Sequence, residues 1–195
     1  MIEYRFATPL DMVQIANIHK EQFPTHYLGQ FSVSLLVSFY QTLLCDGHIF
    51  IVAVEGEVVL GFVLGGEWKR ITESLKRFMK KFILRSIFES VIRPKTWQKS
   101  VQKILSFFFH RKKDPNNLDN IERYTLLSVA TNKAAQGMGI GTGLVNAFNK
   151  EIEKFSCKYY LSVKDTNIRA IRFYSKLGFV EAYRCPGEIQ MIKTL

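Results

Sequence analysis

The chain has 195 residues, 47% of them hydrophobic, enough apolar material for one sizeable core and so for a single domain over residues 1–195. Its three cysteines, Cys45, Cys157 and Cys185, form no CxxC pair and have no histidine at metal-ligand spacing, which argues against a disulfide framework and against a metal site. The net charge of +10 is local: fourteen Lys or Arg against three Glu fall between Glu67 and Lys113, and the rest of the chain is close to neutral.

In chain order, Met1-Ile2-Glu3-Tyr4-Arg5-Phe6 has an early acid and no long apolar run, and no later stretch reaches the length of a membrane span, so the expectation is a cytoplasmic protein. Ile2 to Ala7 reads as a strand. Thr8-Pro9-Leu10-Asp11 then starts a helix, with a hydroxyl cap, a proline in the first turn and an acid at the third position. That helix runs to about Phe23, its apolar face marked by Met12, Ile15, Ala16, His19 and Phe23. Ser32 caps a second helix carrying Leu35, Leu36, Phe39, Tyr40 and Leu43. Ile49 to Val54 and Val58 to Leu64 form a hairpin across Glu55-Gly56-Glu57. After the basic segment, Asp114-Pro115-Asn116-Asn117 is a turn and Ile121 to Thr131 a strand. A helix follows from Ile140, with Leu144, Val145, Phe148, Ile152 and Phe155 on one face. Tyr159 to Lys164 is a strand, Asn167 to Lys176 a helix, and strands from Gly178 to Arg184 and Glu188 to Lys193 complete the chain. This order implies a mixed sheet with helices on its faces, an α/β (α+β) fold.

Gly137, Gly139, Gly141 and Gly143 alternate between a strand end and a helix start. Glycines there let backbone N–H groups approach a phosphate at the positive end of a helix. A dinucleotide fingerprint would need a further glycine at Thr142 or Leu144, and a P-loop would need Lys then Ser or Thr after its last glycine, so both fail. A phosphorylated ligand other than these, or a tightly packed helix entry without a ligand, remains.

The loop resembles the pyrophosphate loop Q/R-x-x-G-x-G/A of the GNAT superfamily of N-acetyltransferases, matched by Gln136, Gly139 and Gly141. Asn167-Ile168-Arg169-Ala170-Ile171-Arg172-Phe173-Tyr174-Ser175-Lys176-Leu177-Gly178-Phe179 is similar to the family's N-x-x-A-x-x-F-Y-x-x-x-G-F signature. The resemblance covers Ile121 to Leu195 well and Ile2 to Leu64 by element order. It implies a mostly antiparallel seven-stranded sheet flanked by helices, with residues 67–113 as a helical insert between the third and fourth strands. It also implies acetyl-CoA as co-substrate and direct attack by a primary amine.

Residue by residue, the resemblance implies that backbone groups of Val129, Ala130 and Thr131 pair with the pantetheine arm. Backbone N–H groups of Gln136, Gly137, Met138, Gly139, Ile140, Gly141 and Thr142 hold the pyrophosphate, Asn167 bonds the pantetheine arm, and Tyr174 gives a proton to the departing thiolate. Glu122 is a candidate base at the start of the central strand. Glu21, His26 and Tyr27 are candidates on the acceptor side, in or beside the loop between the first two helices.

Within the basic segment, Ile71, Leu75, Phe78, Met79 and Phe82 make an apolar stripe opposite Lys76, Arg77, Lys80 and Lys81, and Trp97, Val101, Ile104, Leu105 and Phe108 repeat the pattern after Pro94. Such stripes pack on a core or meet anionic lipid. Nucleic acid ranks below lipid because the aromatics do not interleave with the basic residues. A homodimer through apolar faces is a further expectation. So much positive charge near a site disfavours polyamines and favours an amine on an anionic small molecule, such as an amino-sugar nucleotide.

Overall fold

The computed structural model describes residues 1–24, 28–90 and 123–195, except the side chains of Gln30 and of residues 83–90. The expected second basic helix, the turn at 114–117, the strand start at Ile121, and Glu122, His26 and Tyr27 lie outside the described residues.

Alternation in the hairpin organises the molecule. Strands β2 (Ile49–Glu55) and β3 (Val58–Glu67) are apolar almost throughout, as strands covered on both faces must be. Along β2, Phe50, Val52 and Val54 join one core, while Ile49, Ile51 and Ala53 join the other. The seven-stranded sheet runs β1-β2-β3-β4-β5-β7-β6. Its other strands are β1 (Ile2–Phe6), β4 (Tyr124–Thr131), β5 (Lys158–Lys164), β6 (Val180–Cys185) and β7 (Glu188–Thr194). Every pairing is antiparallel except β4 with β5.

The first core lies under helices α1 (Met12–Gln22), α2 (Val33–Cys45) and α3 (Trp68–Ser90), the second under α4 (Ile140–Ile152) and α5 (Ile168–Lys176). The start of α1 is preceded by a 3-10 turn over Pro9–Asp11. The Asp11 carboxylate accepts the Thr8 backbone N–H at 2.7 Å and two bonds from the Arg5 guanidinium at 2.8 and 2.9 Å. Burial alone would raise this carboxyl, but the bonds from Arg5 and Thr8 outweigh it and hold it below the ordinary carboxylate range. At the start of α2, Ser32 caps the helix by accepting the Leu35 N–H.

Helix α3 is the first half of the basic segment, and its apolar stripe belongs to the core. Ile71, Leu75, Phe78 and Met79 are all buried in the first cluster, with Phe82 packed against it. At about 1.5–3 kcal/mol per buried side chain, this burial makes the stripe a structural face and leaves Lys69, Lys76, Lys80 and Lys81 pointing outward. Phe82 stacks on Phe31 at 5.9 Å, which brings α3 beside the connection between α1 and α2. No helix among the described residues is long and apolar enough to cross a membrane.

Two local expectations change. Helix α4 ends at Ile152, and Phe155, expected on its apolar face, is 62% exposed and stacks on Tyr124. His19, expected as an apolar-face position, is buried and hydrogen-bonded through Nδ1 to the Tyr40 hydroxyl at 2.6 Å. Tyr40 is bonded in turn by the Ser128 side chain on β4, so a polar chain crosses the first core and ties α1 and α2 to the central strand.

Candidate active site

The site begins where the sheet fails to close. Strands β4 and β5 pair in parallel register at Thr125–Tyr160 and form no further register pair, so the strands part beyond it. A register shift between Leu64 and Gly65 leaves Leu127 of β4 as an extra residue, a bulge that bends the strand at this point. The Asn132 N–H donates to the Leu60 carbonyl, and orientations alternate along an antiparallel ladder. Ala130 therefore turns its backbone toward β3. Val129 and Thr131 turn theirs into the gap, where an extended ligand arm can pair with them.

The next segment is a 3-10 turn over Lys133–Ala135, capped by the Asn132 side chain, followed by Gln136 to Gly139 and α4. Gly137 and Gly139 have φ of +85° and +78°, a region open to glycine and costly for other residues. Beyond their chain neighbours, nothing among the described residues lies within 4 Å of the position a Cβ would take on either one, so this face of the loop is open among the described residues. Gly139 is the N-cap of α4, and its carbonyl accepts the Gly143 N–H at 3.0 Å. Gly143 itself is a packing residue, because a Cβ there would strike the Tyr4 ring and hydroxyl.

A cavity of about 550 Å³ opens on this loop. Val129, Ala130, Thr131, Gln136, Gly137, Gly139, Ile140, Gly141, Thr142, Asn167 and Tyr174 all line it, which brings together nearly every donor-side residue singled out from the sequence. Met138 is exposed and is not part of the lining. Asn167 sits at the rim as the N-cap of α5, its Oδ1 accepting the Ala170 N–H at 3.1 Å. Both helix N-caps, Gly139 and Asn167, thus open on one space, and no carboxylate is among its described lining residues. Within the loop, the Gln136 and Met138 N–H groups donate to the Lys133 and Ala135 carbonyls at 3.4 Å. Two positive helix ends at an open glycine loop, with no acid among the described lining residues, suit a phosphate-bearing ligand, and the β4–β5 gap suits its extended arm.

Tyr174 lies in the wall between Phe173 and Phe179, with ring centroids 5.2 and 5.4 Å away. Burial pushes its phenol well above the ordinary value, so it keeps its proton across the whole neutral range. Glu21, expected on the acceptor side, accepts the Lys133 backbone N–H through Oε2 at 3.1 Å, which ties the end of α1 to the turn before the glycine loop.

Six lining residues were not singled out as site residues from the sequence: Gln22, Phe23, Ala135, Arg169, Ala170 and Phe173. Gln136 Nε2 donates to Gln22 Oε1 at 2.8 Å, and Arg169 Nη2 donates to Gln136 Oε1 at 3.0 Å. Arg169 was visible only as a variable position inside the stretch that begins at Asn167. Gln22 and Phe23 are separated from the loop by more than a hundred residues, and no local pattern links them to it.

Compared by sequence with curated proteins, the chain matches none. Among solved structures, the crystal structure of SsHAT superposes with a TM-score of 0.67 at 17% identity, covering 99% of this chain and 98% of that one. The PaiA N-acetyltransferase of Thermoplasma acidophilum, in complex with coenzyme A, gives 0.60 at 16% identity, with 100% and 99% covered. YncA of Salmonella typhimurium, a putative acetyltransferase with its cofactor acetyl-CoA, gives 0.59 at 17% identity, with 100% and 94% covered. These likenesses are ones of fold. The model of the acetyltransferase (GNAT) family matches residues 12–179, a span that holds the open β4–β5 gap, the glycine loop and the α5 signature. The chain therefore belongs to the GNAT family of acetyltransferases.

Proposed function

We propose that the protein transfers the acetyl group of acetyl-CoA to the primary amine of a small anionic acceptor, an amino-sugar nucleotide being the type example. The observation that carries the donor half is the single cavity in which the glycine loop, the unpaired edge of β4 and Tyr174 meet. Backbone groups of Val129 and Thr131 align the pantetheine arm and set the thioester carbonyl, while the loop from Gln136 to Thr142 and the start of α4 hold the pyrophosphate. Asn167, already capping α5, presents its remaining amide donors at the rim. The acceptor nitrogen forms the new N–C bond as the C–S bond breaks, and Tyr174 gives its phenolic proton to the departing sulfur.

The acceptor half rests on charge. Phe82 seats α3 against Phe31, so the outward Lys80 and Lys81 stand on the helix that reaches the α1–α2 connection. A positive field there raises the local concentration of anionic acceptors and repels polyamines. A competition assay tests this. With spermidine and an amino-sugar nucleotide at equal concentration, acetylation of the nucleotide is expected to dominate at low salt and to lose its advantage as salt rises. Faster acetylation of spermidine or basic peptides would overturn the choice of acceptor while leaving the donor site standing.

A further inference from the structure

Arg169 is placed against its own electrostatic preference. It is the second residue of α5, where the helix dipole favours an anion and disfavours a cation. Three other guanidinium groups find carboxylates: Arg5 pairs with Asp11, Arg77 with Asp46, and Arg184 with Glu181, while Arg70 donates to the Asp46 carbonyl. Arg169 forms no ion pair among the described residues. Its Nη2 instead donates to the neutral side-chain amide of Gln136, and both residues line the cavity beside Gly137 and Gly139. The Gln136 amide is oriented from its other end, where Nε2 donates to Gln22 Oε1. This exposed cation, held by a neutral acceptor at the mouth of a glycine loop in a cavity with no acid among its described lining residues, is placed to meet an incoming anion.

We propose that Arg169 is a phosphate ligand of the donor site and that Gln136, anchored on Gln22, is the positioning residue that holds its guanidinium at the mouth of the cavity. The inference rests on the donor reading above and adds to it a side-chain charge that backbone N–H groups do not supply. The partner oxygen belongs to either the pyrophosphate or the 3′-phosphate of CoA, and the same chemistry serves both. When a phosphate is present, the guanidinium exchanges the amide for it or spans the two, since its five N–H donors allow both contacts.

Calorimetric titration of the full-length protein with CoA and with dephospho-CoA tests this without reference to turnover. Arg169→Ala is expected to raise the Kd for CoA by roughly tenfold and to flatten its salt dependence, while Arg172→Ala, one turn along and outside the cavity, changes it by less than about twofold. If the loss persists with dephospho-CoA, the partner is the pyrophosphate. If it disappears with dephospho-CoA, the partner is the 3′-phosphate, and the proposal stands in either case. Gln136→Ala is expected to cost a few-fold in the wild type and nothing further in the Arg169→Ala background, because the two act as one unit. Additive losses would remove the positioning role of Gln136. Unchanged affinity in Arg169→Ala, or an equal loss in Arg172→Ala, would overturn the assignment of Arg169. Wild-type protein that bound neither ligand would instead overturn the donor reading on which the inference rests.

Discussion

The α4–α5 side of the sheet and the α1–α2 side handle polar groups in opposite ways. Around the donor cavity, the glycine loop turns the Cβ side of Gly137 and Gly139 to space that no other described residue fills, and the Arg169 guanidinium is held by the neutral Gln136 amide and not by a carboxylate. Across the sheet, polar groups are spent on holding helices: Asp11 on Arg5 and Thr8, His19 on Tyr40, Tyr40 on Ser128, and Glu21 on the Lys133 N–H. An open loop with a cation on a neutral partner marks a place prepared for a ligand. Spent polar groups mark a scaffold that positions it, and α3 adds to that scaffold a basic outer face.

The contrast can be broken most sharply at Tyr174. Tyr174→Phe keeps the ring between Phe173 and Phe179, so CoA affinity and melting temperature should stay near wild type while kcat falls about 100-fold. Because burial raises the phenol, its protonated form persists on the alkaline side, and the wild-type kcat should show no loss from this group between pH 7 and about pH 9. An alkaline fall that vanishes in the Phe variant would contradict this.

On the scaffold side, Asp11→Asn should cost about 2 kcal/mol of stability with little change in CoA affinity, measured by denaturant unfolding and calorimetry. The Asp11 carboxyl lies lower in the folded chain than in the unfolded one, so its contribution is present above the unfolded value and is lost as pH falls through the folded one. The difference between wild type and variant should therefore shrink below about pH 4.

Gly139→Ala sharpens the donor side. The added methyl meets no atom of the described residues beyond its chain neighbours but forces a positive φ on a residue with a Cβ, and it occupies the face the loop turns to its ligand. A roughly tenfold loss of CoA affinity with a smaller loss of stability is expected. The mildest effect belongs to α3. Lys80→Glu with Lys81→Glu should lower the rate with an anionic acceptor about threefold at low salt and leave a neutral amine unaffected.

Much of the donor side was legible in the sequence because it is local. The glycines, the helix start at Ile140 and the stretch from Asn167 to Phe179 each sit within about a dozen residues, so spacing alone placed them at element boundaries. The apolar runs of β2 and β3 on either side of Glu55-Gly56-Glu57 likewise announced the hairpin, while their burial on both faces is a finding of the structure. What depends on distant partners was not legible. Gly143 reads like its neighbouring glycines until Tyr4 of the edge strand is found against it. The link from Gln22 through Gln136 to Arg169 joins three separate segments. The stripe of α3 was equally consistent with core and lipid, and only the burial of Ile71, Leu75, Phe78 and Met79 decides for the core.

The central claim is that this cavity presents acetyl-CoA to an amine on an anionic acceptor. Its most direct test is release of free CoA thiol from acetyl-CoA by the full-length protein, followed with and without an amino-sugar nucleotide. The account predicts slow release alone, a large amine-dependent increase, and one acetylated amine formed for each thiol released. Release that no amine accelerates, from protein that nonetheless binds CoA, would contradict it.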